Sequence, residues 1–199
     1  MPWDHAAFSY VAFSLFLHAV YRESPTASQA IVVVFASLLP DLVDKPLAWQ
    51  FGVLEGGRTL GHSIFLAVPL SVAIGLFARS RGTPLLGWAF AFGYLLHLPG
   101  DVIPPFIRQG ELKVDIVLWP VTDGGGGTAD SFYREVMRNV APYAHRIATD
   151  GLEGNLPAHL WVVLGVWVFT LLLWVYDGMP VFREGYHLIR RIVASAASR

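Results

Sequence analysis

Cysteine is absent from this 199-residue chain, so disulfides, thiolate metal sites and thiol nucleophiles are excluded together, and any metal must be held by histidine and carboxylate. Charge is also scarce: 15% of the residues are Asp, Glu, Lys or Arg, against about 25% in an ordinary soluble domain. The 14 basic side chains nearly cancel the 15 acidic ones. With no field of one sign to attract a polyanion, no nucleic-acid partner is expected. What remains in abundance is apolar surface, 54% of residues with a mean hydropathy of +0.50. An aromatic fraction of 14%, including 7 Trp, suits side chains that meet lipid headgroups. These numbers predict an all-α integral membrane protein of the cell membrane, with lipid as its main surroundings.

A helix that crosses a bilayer takes about 20 mostly apolar residues. Five segments approach that length: 6–21, 29–43, 60–78, 84–99 and 158–176. They predict a multi-pass bundle of about five transmembrane helices, with the second the shortest. Asp4 reads as the N-cap of the first helix, which puts His5 at its mouth. Between the fourth and fifth segments, Pro104-Pro105, Gly110 and the glycine run 124–127 punctuate a polar loop. Within it Phe132, Val136, Val140, Tyr143 and Ile147 recur every three or four residues, the pattern of an extramembrane amphipathic helix, and 113–119 reads as a short strand or interfacial turn. Beyond the fifth segment, Arg183, Arg190, Arg191 and Arg199 mark a basic amphipathic tail of the kind that rests on anionic lipid. The chain thus reads as one membrane-embedded domain, 1–199, with a four-span core in 1–120, a loop and helix in 121–157, and a fifth span and tail in 158–199.

Polar groups at membrane depth are costly and are functional candidates when they can meet. If the spans alternate in direction, His5 opens the first, Asp41 and Asp44 close the second, His62 opens the third, and His97 with Asp101 closes the fourth, so all six fall on one side. Asp41 and Asp44 stand at i, i+3 and His97 and Asp101 at i, i+4, spacings that project each pair from one helix face. Three imidazoles and three carboxylates form a donor set for a divalent ion, Zn²⁺ or Mn²⁺, and suffice for one ion or two. Ser63 follows His62 as a candidate substrate-holding hydroxyl or as a plain helix cap. Lys45 and Arg58 are the nearest cations, His18 lies toward the other side, and His159 opens the fifth span.

The order of an early His5, then Leu39-Pro40-Asp41-Leu42-Val43-Asp44, then Gly61-His62-Ser63, then Gly93-Tyr94-Leu95-Leu96-His97 and Asp101 resembles the membrane-bound metal-dependent hydrolases of archaea and bacteria, whose members include a damage-regulated inner-membrane protein. The likeness covers roughly residues 1–120, including Leu118-Trp119-Pro120. A more distant likeness is to zinc-dependent phospholipase C. The resemblance implies a divalent-metal hydrolase with His5, Asp41, Asp44, His62, His97 and Asp101 as the matching positions.

On this reading a metal-bound water, its pKa lowered toward about 7, attacks an ester or phosphoester, with a lipid arriving sideways from the bilayer as one candidate substrate. Asp41 or Asp44, whichever is not fully committed to the metal, is the general base. Two other readings use the same residues. A metal or proton carrier needs access from both sides, whereas the other side offers only His18. A noncatalytic scaffold would keep the metal for folding. Arg22, Arg79, Arg81 and the tail arginines stand on the side away from the cluster, so the positive-inside rule places the metal site on the extracytoplasmic side.

Overall fold

In the computed structural model the chain is described over residues 2–125, 131–152 and 157–197. Helix α1 runs over Pro2–Val20, α2 over Ala27–Trp49, α3 over Ile64–Ser80 and α4 over Pro84–Gln109. A 3-10 turn at Val114–Val117 precedes α5 (Phe132–Leu152), α6 (Ala158–Tyr176) and α7 (Phe182–Ala197). There is no strand among the described residues, only an isolated bridge between Arg58 and Gly125. The all-α expectation therefore stands.

The helices are longer at the polar ends than hydropathy alone predicts. α2 runs through Pro40 and continues past Val43 through Pro46, and α4 continues past Pro99 through Pro104 and Pro105 to a left-handed Gly110. Each proline removes one backbone donor, but packing against neighbours along the whole length overrides local propensity. The consequence is that Asp41, Asp44 and Lys45 all sit on α2, and His97 and Asp101 both sit on α4. α1 also begins early, at Pro2, so Asp4 lies inside its first turn and accepts a hydrogen bond from Trp167 Nε1 at 3.1 Å instead of acting as the N-cap. The 113–119 stretch holds a 3-10 turn rather than a strand, and the peptide Trp119-Pro120 that follows it is cis.

α2 and α4 form the most extensive helix pair, with α3 on the far side of α4, α1 against both α2 and α4, and α6 against α1. Gly93 sets the α2–α4 distance: a Cβ there would lie 2.4 Å from the Val33 carbonyl oxygen. Two apolar clusters fill the interior. Tyr10, Phe13, Leu17, Ala30, Val33 and Ala89 pack at one level, and Ala36, Ala67, Phe90, Tyr94 and Leu98 pack nearer the polar end. Around them the outer faces are apolar and exposed, as at Phe35, Val72, Leu76, Trp88, Leu171 and Leu172.

The expectation of five membrane-crossing helices is not met at the level of single elements: among the described residues no helix is long and apolar enough to cross a membrane. At 1.5 Å per residue α3 and α6, the most apolar, reach only about 25 and 28 Å, short of a hydrocarbon layer of about 30 Å. α2 and α4 have the length but carry Asp41, Asp44 and Lys45, or His97 and Asp101, on the stretch that would have to be apolar.

Candidate metal centre

Four elements bring their polar parts to one place: the start of α1, the last turns of α2, the loop before α3 and the second half of α4. The loop from 50 to 63 is drawn onto α2 by Asp44, which is fully buried. Its carboxylate accepts from the backbone N–H of Thr59 and of Gly61 at 2.7 Å each, from the His62 N–H at 3.3 Å and from the His62 ring Nδ1 at 2.8 Å. Tyr94, buried on α4, donates to the Gly61 carbonyl at 2.9 Å and holds the same loop from the other side.

These bonds aim the imidazoles. His62 gives its Nδ1 proton to Asp44, and His97 gives its Nδ1 proton to the Ser37 carbonyl at 2.6 Å, so in both rings Nε2 is the nitrogen turned to the interior. The two Nε2 atoms stand 3.1 Å apart and both residues are fully buried. Metal–nitrogen bonds of about 2.0–2.1 Å place two ligands on one ion at about that separation. Asp41 Oδ1 lies 3.5 Å from His62 Nε2 and 4.0 Å from His97 Nε2, and Asp101 Oδ2 lies 3.4 and 4.0 Å from the same two atoms.

His5 completes the group from α1. Its ring stacks on His97 with centroids 4.0 Å apart, and its Nε2 is 3.2 Å from the other oxygen of Asp101, Oδ1. Gly100 makes the room: a Cβ at that position would sit 2.5 Å from His5 Nδ1. Two sets of potential ligands share His97, namely Asp41–His62–His97 and His5–His97–Asp101, and within each set the donor atoms lie within 4.8 Å of one another. Two cations close the rim. Lys45 Nζ is 2.6 Å from Asp41 Oδ2, and the partly exposed Arg58 places Nε 2.8 Å from Asp101 Oδ2.

The electrostatics describe a site that demands positive charge. Burial opposes protonation of His62, yet its contacts with Asp101, Asp41 and Asp44 outweigh that and push its pKa up to about 10. Burial likewise works against ionisation of Asp101, but hydrogen bonds from His5 and His62 and the Arg58 guanidinium hold its carboxyl far below the usual carboxylate range. Without a metal, a proton on His62 stands where the carboxylates favour a cation.

Five of the six residues expected from sequence, His5, Asp41, His62, His97 and Asp101, thus present donor atoms to one another. Asp44 belongs to the same cluster but faces the far nitrogen of His62, with both carboxylate oxygens taken by the loop. Ser63 caps α3, accepting from the Phe65 N–H at 3.2 Å and donating to the Trp119 carbonyl, so its hydroxyl is turned away from the cluster. The side chain of His159 lies outside the described residues. Sequence reading missed Asp177, which buries a second polar cluster at the opposite end: it accepts from Tyr10 Oη at 2.7 Å and from Ser14 Oγ at 2.8 Å, and pairs with His18 Nε2 at 2.7 Å. The i, i+4, i+8 spacing of Tyr10, Ser14 and His18 was the available signal, since it lines three polar groups along one face of α1.

A buried His–Asp cluster at one end of an all-α, lipid-coloured bundle defines the class, a helical membrane protein with a candidate divalent-metal centre. Within that class, the chain matches the family described as YdjM inner membrane protein over residues 1–181 and belongs to it. Membrane location is therefore a property of the family, whose description names no chemistry. No curated protein and no solved structure gives a match.

Proposed function

We propose that the protein is a membrane-bound, metal-dependent hydrolase whose ion is held by Asp41, His62, His97 and Asp101. The observation that carries this reading is the meeting of the His62 and His97 Nε2 atoms at 3.1 Å, each ring fixed by a committed Nδ1, between two carboxylates with oxygens 3.4–4.0 Å away. A divalent ion supplies a bound water acidic enough to give hydroxide near pH 7. The chain's own residues do the rest. Asp44 holds the tautomer and direction of His62 and is too fully hydrogen-bonded to accept a proton from water, which moves the general-base role from Asp44 to His5. His5 is placed for it by stacking on His97 and by its contact with Asp101 Oδ1. Lys45, pinned to the outer oxygen of Asp41, and Arg58, paired with Asp101 Oδ2, offer cations at the rim to an ester or phosphoester that carries negative charge. The exposed apolar faces of the bundle lie in the bilayer, which brings lipid to the same rim, with the metal end on the extracytoplasmic side.

The polar cluster around Asp177 supports an enzyme over a carrier, because the buried carboxylate at the opposite end is already partnered by Tyr10, Ser14 and His18. Metal analysis of purified protein beside His62→Ala is the test. The expected result is at least one Zn²⁺ or Mn²⁺ per chain in the parent and none in the variant, with hydrolysis of a phosphoester or ester lost in Asp41→Ala and His97→Ala. Turnover unchanged in both variants would falsify the reading. Stoichiometry assigns His5: one ion leaves it as the base, and two make it a ligand of the second.

A further inference from the structure

We infer that the end of the bundle opposite His5, His62 and His97 is a docking surface for anionic phospholipid, on which α7 lies flat in the headgroup layer. In α7 Phe182, Tyr186, Ile189 and Val193 fall in one arc of the helix, flanked by Leu188 and Ile192, and these six side chains are 51–63% exposed. A 16-residue helix is marginal in water by itself, so an arc of this size needs a cover. Arg183, His187, Arg190 and Arg191 occupy the opposite arc, where they flank the apolar face as snorkelling side chains do.

The surroundings say what the cover is. α7 follows α6 at the end where Asp177 meets His18, and the turns of the bundle at that end expose Arg22 between α1 and α2 and Arg79 and Arg81 between α3 and α4. Against these six arginines the same segments expose only Glu23 and Glu184, and Glu184 is already paired with Arg183 at 2.7 Å. An apolar groove of about 430 Å³ between α2, α3 and α4, lined by Val32, Phe35, Ile74, Phe77 and Phe90, opens at this end with Arg81 at its mouth. Apolar slots ending in guanidinium groups match a molecule with acyl chains and a phosphate head. A neutral headgroup offers the arginines nothing in return, whereas each arginine near an anionic surface contributes about 1 kcal/mol.

The absence of cysteine makes a clean test possible. Single-cysteine variants Ile189→Cys and Ala194→Cys of the full chain are spin-labelled and reconstituted into vesicles of phosphatidylglycerol or of phosphatidylcholine, and the labels are probed with oxygen and with a water-soluble nickel chelate. In phosphatidylglycerol the label at Ile189 is expected to see oxygen and not nickel, and the label at Ala194 the reverse. Replacing Arg183, Arg190 and Arg191 together by Gln is expected to weaken the seating of α7 by about a hundredfold, from three such contributions, and to erase the difference between the two lipids. Equal nickel access at both positions in phosphatidylglycerol overturns the proposal. So does spin–spin coupling between Ile189 labels of two chains, which would mean that a second copy covers the arc.

Discussion

The bundle buries two polar clusters, one at each end, and they are built on opposite principles. Around Asp177 one carboxylate accepts from Tyr10 and Ser14 and pairs with His18, all at 2.7–2.8 Å, so every group has its partner inside the chain. Around His62 three carboxylates face three imidazoles, the ring nitrogens that look inward are acceptors when neutral, and of the two cations Lys45 reaches only the outer oxygen of Asp41 while Arg58 shares Asp101 Oδ2 with His62. A saturated buried network holds helices together, whereas an acceptor-rich one is satisfied only by a cation. The first ties α6 to α1; the second offers its donors to an ion.

The largest expected effect separates the two directly. His97→Ala should remove bound metal and hydrolysis altogether. Asp177→Ala should leave the metal content of folded protein unchanged while destabilising it by several kcal/mol, because Tyr10, Ser14 and His18 lose their shared acceptor at about 1–3 kcal/mol each. Loss of metal from folded Asp177→Ala protein, read by elemental analysis after refined purification, would erase the contrast between the ends.

Gly100→Ala comes next. The added methyl must displace the His5 ring, since no position for it avoids Nδ1 at 2.5 Å. If His5 is the base, the variant keeps its metal and loses turnover by about 10²–10⁴-fold, the usual worth of a positioned acid or base. If His5 is a ligand, metal content falls by one ion. Asp44→Asn should act more gently. It retains one acceptor for the loop but gives up the charge that orients His62, and a partner of that kind is worth about 10–100-fold in metal affinity. An unchanged affinity, measured by competition with a chelator, would mean that the loop alone fixes His62.

Much of this was legible in the sequence because the signal lay in discrete, expensive residues. A carboxylate or imidazole in an apolar segment has few reasons to be there, so His5, Asp41, His62, His97 and Asp101 could be put on one side from the order of segments alone. The division of labour between Asp41 and Asp44 was not legible. It depends on the loop from Thr59 to His62 folding back onto α2, a long-range backbone contact that leaves no pattern in the residues themselves. Helix ends were misjudged for a related reason. The apolar segments end at Val43 and Pro99, and only the close α2–α4 packing across Gly93 lets α2 run on through Pro46 and α4 through Pro104 and Pro105. The expected crossings fail against the lengths of α3 and α6, for which hydropathy gives the apolar core but not where the helix begins. Asp177 was overlooked because a lone acid after an apolar run looks like an ordinary helix exit until α1 is seen beside it.

The contrast between the ends also has a signature in pH. In the folded metal-free chain His62 has its pKa raised to about 10 from an ordinary 6.5. A raised histidine pKa contributes stability that is fully present below 6.5 and is lost as the pH rises through 10. Metal-free protein should therefore become progressively easier to unfold across that interval, as followed by denaturant or thermal melts. A bound cation replaces the proton, so the loaded protein should show a flatter profile over the same range, and metal uptake should release protons and weaken as the pH falls. His62→Ala should flatten the metal-free profile as well, whereas His18→Ala at the saturated end should leave the alkaline decline in place.

Ser63→Ala is the smallest effect and the sharpest check on the reassignment of that residue. Its hydroxyl accepts from the Phe65 N–H and donates to the Trp119 carbonyl, so removing it takes a cap from α3 and a tie from the 114–120 segment. A lost N-cap costs about 1 kcal/mol. Turnover and metal content should stay at parent levels at temperatures where the variant is folded. A fall in turnover beyond what the melting curve explains would return the hydroxyl to the substrate, and would require the α3 N-terminus to open toward His62 during the reaction.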